Sequence, residues 1–257
     1  MTRRETGTYL YVKEGARPRQ APVRLDRPHL PPPTEPPRPE TEGAVVRLLR
    51  PDIAADAIDP RFAMFLMPDT EVAGIYRQIA DTLQAAGPDG GRIVVAAPDR
   101  TVARTRTLLN VAAALVEPGG FASVVGLDAG AGSLAPTLGI SAWPGLRGQA
   151  EGRERDPRRP VDVLHVAWRV GALPLEPDGR LPTPSALEAA LTALDAASKW
   201  VFLDAAPWTE APPTLAAGAA DALIVVLSPA QAAAGLTLPD ALAPLTLLGV
   251  IVDVALG

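Results

Sequence analysis

At 257 residues the chain has room for one domain of about 200 residues plus an extension, with 47% hydrophobic residues for a core that 4% aromatics force onto Ala, Val and Leu. The absence of cysteine excludes disulfides and thiolate metal sites, and His29 and His165 sit in unrelated contexts with no metal-ligand spacing. A net charge of -5, spread as +4 over residues 1–50 (ten Lys/Arg, six Asp/Glu) and -9 over the rest, argues against nucleic acid as a partner.

Residues 1–48 read as a Pro-rich, disordered tail. Pro18, Pro22, Pro28, Pro31, Pro32, Pro33, Pro36, Pro37 and Pro39 crowd a segment with no hydrophobic period, which favours extended polyproline conformations and buries no core. It serves either as a tether for a partner or as a plain leader. Within it the run Thr8–Val12 fits a strand or a docking peptide equally well. Residues 49–257 form the folded domain. No apolar run reaches the roughly 18 residues of a membrane span, and the start lacks the apolar core of a secretory signal, so a cytoplasmic protein is expected.

The spacing of Val72, Ile75, Tyr76, Ile79 and Leu83 predicts a helix over 70–86, capped by Asp69 or Thr70 and stopped by Gly87-Pro88-Asp89-Gly90-Gly91. Strands are expected at Ile93–Ala97, Ser123–Leu127, Trp200–Leu203 and Ala222–Leu227, with weaker ones at Val161–His165 and Gly249–Val252. Helices over 103–116 and 185–198, the second capped by Ser185, alternate with them. Unbroken Val/Ile/Leu runs suit strands buried on both faces. Their alternation with helices predicts an α/β fold, a mostly parallel sheet flanked by helices. In such a sheet ligands sit beyond the carboxyl ends of the strands. Those ends carry Pro98-Asp99, Asp128, Asp204 and Ser228-Pro229.

The first strand, loop and helix have the layout of a phosphate-binding loop, G-x-x-x-x-G-K-[ST]. Laid on that pattern, the glycines become Pro98 and Ala103, the lysine becomes Arg104, and only Thr105 survives. The chain's two lysines, Lys13 and Lys199, are too far away to substitute. Pro98 has no N–H to offer, and Thr101 and Ala103 carry Cβ atoms where glycines would let backbone amides turn inward. Asp99 opposes phosphate at about 3 kcal/mol for a like-charge pair near 5 Å, while Arg100, Arg104 and Arg106 attract it. Arg104 reads as a weak phosphate contact or a solvated residue of the first helical turn. Its planar head is a poor replacement for a compact ammonium.

Further segments complete an ordered series. Ile58-Asp59-Pro60-Arg61 and Ile75-Tyr76-Arg77-Gln78-Ile79 precede the loop, and Asn110-Val111-Ala112 follows it. Then come Val124–Gly130, Leu138-Gly139, Pro144-Gly145-Leu146, Val161–Leu164 with the Pro-rich 173–184, Val201–Pro207, Ala220-Asp221-Ala222 and Leu248–Asp253. Over about residues 58–254 this series resembles the bacterial tyrosine kinases, within the MinD/ParA-like P-loop ATPases. The family's P-G-E-G-K-S falls on Arg100–Thr105, its h-h-h-D-x-D on Val125–Gly130, its h-h-h-D-x-P-P on Val201–Pro207, and its L-G-V-V-x-N on Leu248–Asp253.

The resemblance implies vestigial phosphate-loop residues Asp99, Arg100, Arg104 and Thr105, vestigial catalytic carboxylates Asp128 and Asp204, and Thr105, Asp128 and Asp204 as weak magnesium candidates. The second aspartate of the h-h-h-D-x-D motif is Gly130. The alternative role of the two aspartates is to brace the loops that follow them. Of the family's oligomerising Glu and two Arg, at positions 74, 77 and 80, only Arg77 remains. Tyr9, Tyr11 and Tyr76 are the only tyrosines, so no C-terminal tyrosine cluster is expected.

The expectation is a catalytically impaired pseudo-ATPase or pseudokinase without a cofactor. Through the resemblance, it assists exopolysaccharide or capsule biosynthesis with a membrane co-polymerase or export protein, at the inner face of the membrane. Homo- and hetero-oligomers stay open. So do a divergent active ATPase or tyrosine kinase using ATP and Mg²⁺, and an accidental likeness of an unrelated α/β protein.

Overall fold

The structure is a computed structural model that describes residues 9–13, 45–49, 62–66, 68–87, 89–140, 143–167 and 169–254. Nine strands appear in it: β1 (Tyr9–Lys13), β2 (Val46–Leu49), β3 (Gly91–Ala96), β4 (Ala122–Leu127), β5 (Val161–Ala167), β6 (Val170–Leu173), β7 (Trp200–Ala205), β8 (Ala222–Leu227) and β9 (Thr246–Val254). The helices are α1 (Ala63–Leu66), α2 (Glu71–Ala86), α3 (Arg104–Val116), α4 (Leu134–Thr137), α5 (Leu146–Arg155), α6 (Pro184–Asp195), α7 (Thr214–Ala217) and α8 (Pro229–Ala234).

The strands form one sheet in the order β1-β9-β8-β3-β7-β4-β6-β5-β2. Every neighbouring pair is parallel except β5 and β6, which are antiparallel. The mostly parallel α/β sheet expected from the sequence is present. β4 and β7 are buried along their whole length. Successive residues of β3 explain why: Ile93 and Val95 join a core with α2 and α3, while Val94 and Ala96 join a second core with α6 and part of α5. Alternation along the strand thus loads both faces.

Of the strand and docking-peptide readings of Thr8–Val12 the structure shows the strand, and a second short strand spans the boundary set at 48/49. Tyr9–Lys13 pairs with β9 and Val46–Leu49 with β5, each as an edge strand. A sheet edge offers a row of unpaired backbone donors and acceptors that a short extended segment satisfies without a core of its own. The rest of the tail, including its prolines, lies outside the described residues, as does the Ile58–Arg61 stretch.

Thr70 caps α2, accepting from the Ala73 N–H at 3.4 Å. The cap of α6 is Thr183 rather than Ser185. Its hydroxyl oxygen accepts from the Ala186 N–H at 3.2 Å, and Pro184 takes the first helical position, where its missing N–H costs nothing. Arg77, on the exposed side of α2, forks onto Glu117 at 2.6 and 2.7 Å and reaches the Pro68 carbonyl at 2.8 Å. Arg77 is therefore committed within its own chain.

α3 is buried on all sides, every one of its residues included. Asn110 makes this tolerable for a polar group: its Oδ1 accepts from the Met64 N–H at 3.0 Å and its Nδ2 donates to the Arg106 carbonyl at 3.2 Å. α3 is the rigid post on which the candidate site stands.

Candidate functional site

The carboxyl ends of β3, β4, β7, β8 and β9 lie side by side at one rim of the sheet. Parallel pairing sets Val95 of β3 and Gly126 of β4 level with Asp204 of β7. The loop after β3 leads into α3, whose first residue is Arg104.

The structure departs from both sequence readings of Arg104. It is neither solvated nor pointed at an open phosphate seat. Its side chain is 5% exposed, and its guanidinium lies between the two strand-end carboxylates: Nε donates to Asp204 Oδ1 at 2.5 Å and Nη2 to Asp128 Oδ2 at 3.2 Å. Asp204 is fully buried. Thr105, expected as a weak magnesium ligand, donates its hydroxyl to Asp204 Oδ2 at 2.7 Å. Both oxygens of Asp204 are thus taken by the helix that follows the loop after β3.

Arg100 closes the site from outside. It grips both oxygens of Asp128 at 2.8 and 2.9 Å, donates to the Ala131 carbonyl at 2.9 Å, and reaches Glu210 at 2.8 Å. Asp128 also accepts from the Gly130 N–H at 2.9 Å, so it does brace its own loop. Asp99 does not face an anion. It closes a turn on Thr101, accepting from the N–H at 2.8 Å and the hydroxyl at 2.5 Å, and its other oxygen accepts from Gln231 Nε2 at 2.8 Å. The third arginine of the stretch, Arg106, is buried within α3.

Three participants escaped the sequence reading. Asp253, at the end of β9 where the family pattern has Asn, accepts from the Ala103 N–H at 2.9 Å. Glu210 holds the outer face of Arg100. Gln231 belongs to a capping box with Ser228 at the start of α8. The Ser-x-x-Gln spacing carried a signal for that box, whereas nothing local marked Asp253 or Glu210 as partners of the loop.

Burial alone would push the Asp128 carboxyl up. The Arg100 hydrogen bonds, the Gly130 N–H and the charges of Arg104 and Arg100 outweigh it and hold Asp128 below the usual carboxylate range. Burial likewise opposes the charge on Arg104, and Asp204 and Asp128 overcome it, so its pKa is raised. The hydroxyl and N–H of Thr101 hold Asp99 low. A carboxylate with a depressed folded pKa adds stability above its unfolded value, about 3.9 for aspartate, and that stability is lost as pH falls through the folded value. Stability should therefore rise with pH over the acid range, up to the unfolded aspartate value. Urea midpoints measured from pH 2.5 to 6 should show this, and Asp128→Asn should flatten the rise. An unchanged slope in that variant would contradict the assignment.

The groups that would hold Mg²⁺ and a nucleoside triphosphate are engaged within the chain in this arrangement. The oxygens that would face a metal bind guanidinium and hydroxyl groups. The amides of Thr101 and Ala103, which would face phosphate, donate to Asp99 and Asp253. Among the described residues no group of three or more His, Cys, Asp or Glu is arranged to hold a metal ion. A solvent-open cavity of about 560 Å³ lies at the opposite rim, beside Asp89, Arg92, Asp195, Lys199 and Asp221. Its Arg92 is committed to Glu188 and Asp195.

No protein-family model matches the chain, and no curated protein matches it. Solved structures do. The chimerical protein CapA2B2 superimposes with a TM-score of 0.61 at 13% identity, over 81% of this chain and 93% of that one. The BceF tyrosine kinase domain gives 0.58 at 18%, over 77% and 83%. The kinase domain of the Escherichia coli tyrosine kinase ETK gives 0.54 at 14%, over 75% and 79%. The fold is that of bacterial tyrosine kinase domains. Among the described residues no helix is long and apolar enough to cross a membrane.

Proposed function

We propose that this chain is a bacterial-tyrosine-kinase-like protein without phosphoryl-transfer chemistry, acting as a regulatory or scaffolding partner. The observation that carries this is Arg104, lodged between Asp204 and Asp128. Phosphoryl transfer depends on positioned cations and backbone donors aimed at the phosphates. Here the cation is covalently part of the chain, and the Thr101 and Ala103 amides are spent on internal carboxylates. Following the resemblance, the partner is a membrane co-polymerase or export protein of exopolysaccharide or capsule assembly. That partner would bring the chain to the inner face of the membrane.

The test is a titration of a fluorescent ATP analogue against the full chain, with and without Mg²⁺, alongside an assay for phosphate release. The expected dissociation constant is weaker than about 1 mM, insensitive to Mg²⁺, with no turnover. Micromolar, magnesium-dependent binding would replace this reading with that of a divergent active ATPase or kinase. The partner is tested separately, by co-purification of the full chain with a membrane polysaccharide co-polymerase. Failure to co-purify from detergent-solubilised membranes would remove the partner and leave the chemistry unaffected.

A further inference from the structure

We infer that Arg100 is a tethered internal ligand, which holds the loops at the carboxyl rim in a single closed arrangement that needs no nucleotide. Its guanidinium ties its own loop after β3 to two others: the loop after β4 through Asp128 and the Ala131 carbonyl, and the loop after β7 through Glu210. The loops after β3 and β7 are joined again where the Thr209 hydroxyl and N–H donate to the Pro98 carbonyl at 2.6 and 3.1 Å.

The seat is shaped for this group. A Cβ at Gly130 would collide with the Arg100 guanidinium. Gly130 is not among the glycines with positive φ, so its backbone accepts alanine and only the guanidinium demands glycine. Glycine at 130 and arginine at 100 are therefore one steric arrangement. A planar fork with five donors can bind two further loops at once, which a lysine ammonium cannot match.

The inference rests on the reading of this site as one that binds no nucleotide, but the two can fail separately. Amide exchange in segments 129–133 and 207–211 is measured for the full chain, Arg100→Ala, Arg100→Lys, Gly130→Ala and the Arg100→Ala/Gly130→Ala double variant. Arg100→Ala should speed exchange in both segments at least about tenfold. Arg100→Lys should not restore it. Gly130→Ala should produce the same acceleration, with no further change when added to Arg100→Ala, since the group it strikes is then gone. Exchange unchanged by Arg100→Ala would overturn the inference. So would a Gly130→Ala effect as large with alanine at 100 as with arginine, and the double variant keeps that comparison available if Gly130→Ala alone folds poorly. If Mg·ATP slowed exchange in the unmodified chain while the cycle held, the tethered ligand would stand and only the nucleotide-free reading would fall.

Discussion

Arg104→Ala is expected to destabilise the chain by about 3–5 kcal/mol, because it strands Asp204 and part of Asp128 as buried charges without their counter-ion. Arg104 is 5% exposed, Asp204 fully buried and Asp128 nearly so, so water cannot take over the role of the guanidinium. For a domain of this size the loss corresponds to a fall in melting temperature of roughly 6–20 °C. The cost belongs to breaking the pair rather than to the worth of the pair itself. Replacing both partners by uncharged residues of similar volume, Arg104→Met with Asp204→Asn, should cost less than the sum of the single changes. Arg104→Lys should fall between, since an ammonium cannot bridge two carboxylates in the same plane. A single Arg104→Ala variant melting within a degree or two of the unmodified chain would show that the guanidinium does not sit where the structure places it.

Trp200→Ala should be comparably damaging for an unrelated reason. Trp200 opens β7, is 2% exposed, and is the largest fully buried side chain. It lies level with Gly91 of β3 and Ala122 of β4, and its ring packs close under Gly87 at the end of α2, with the Lys199 ammonium 5.9 Å above its centroid. Truncating a buried tryptophan costs about 3–5 kcal/mol, the transfer loss plus an unfilled cavity. Asp204 lies four residues further along the same strand, about 13 Å away. At that separation the two losses should add within about half a kcal/mol. Denaturant unfolding of the two single variants and the double variant tests this. Strong coupling would mean that the candidate site and the sheet centre are not mechanically separate.

The difference between these two residues also explains what the sequence disclosed. Trp200 belongs to a run, Trp200–Leu203, whose unbroken apolar character marks a strand buried on both sides, and the run is found there. The other long apolar runs were legible for the same reason. β6 was not, because Val170–Leu173 is four residues long, contains Gly171 and meets Pro174 directly. Gly171 is required by packing: a Cβ there would press on Val163 and Phe121. α5 was missed because it is mostly polar and includes Gly148 and Gly152, so few apolar positions betray a helical period. It is held at its start by Glu176, whose carboxylate accepts from the Arg147 and Gly148 N–H groups at 2.9 and 2.8 Å.

At the candidate site the departures from the phosphate-loop pattern were visible one by one. Their mutual pairing was not. Arg104 and Asp204 are a hundred residues apart, and Ala103 and Asp253 a hundred and fifty. Only the strand order brings these ends together, and composition is blind to it. Read singly, Arg104 looked like a failed lysine and Gly130 like a missing aspartate. In the folded chain each has a partner that accounts for it.

The internal pairing makes this rim resist change one position at a time. A lysine at 104 alone would uncouple Asp204 and still leave the Ala103 amide engaged by Asp253. A side chain at 130 would strike Arg100. Either change made singly should cost stability, so the rim opens only through concerted substitutions.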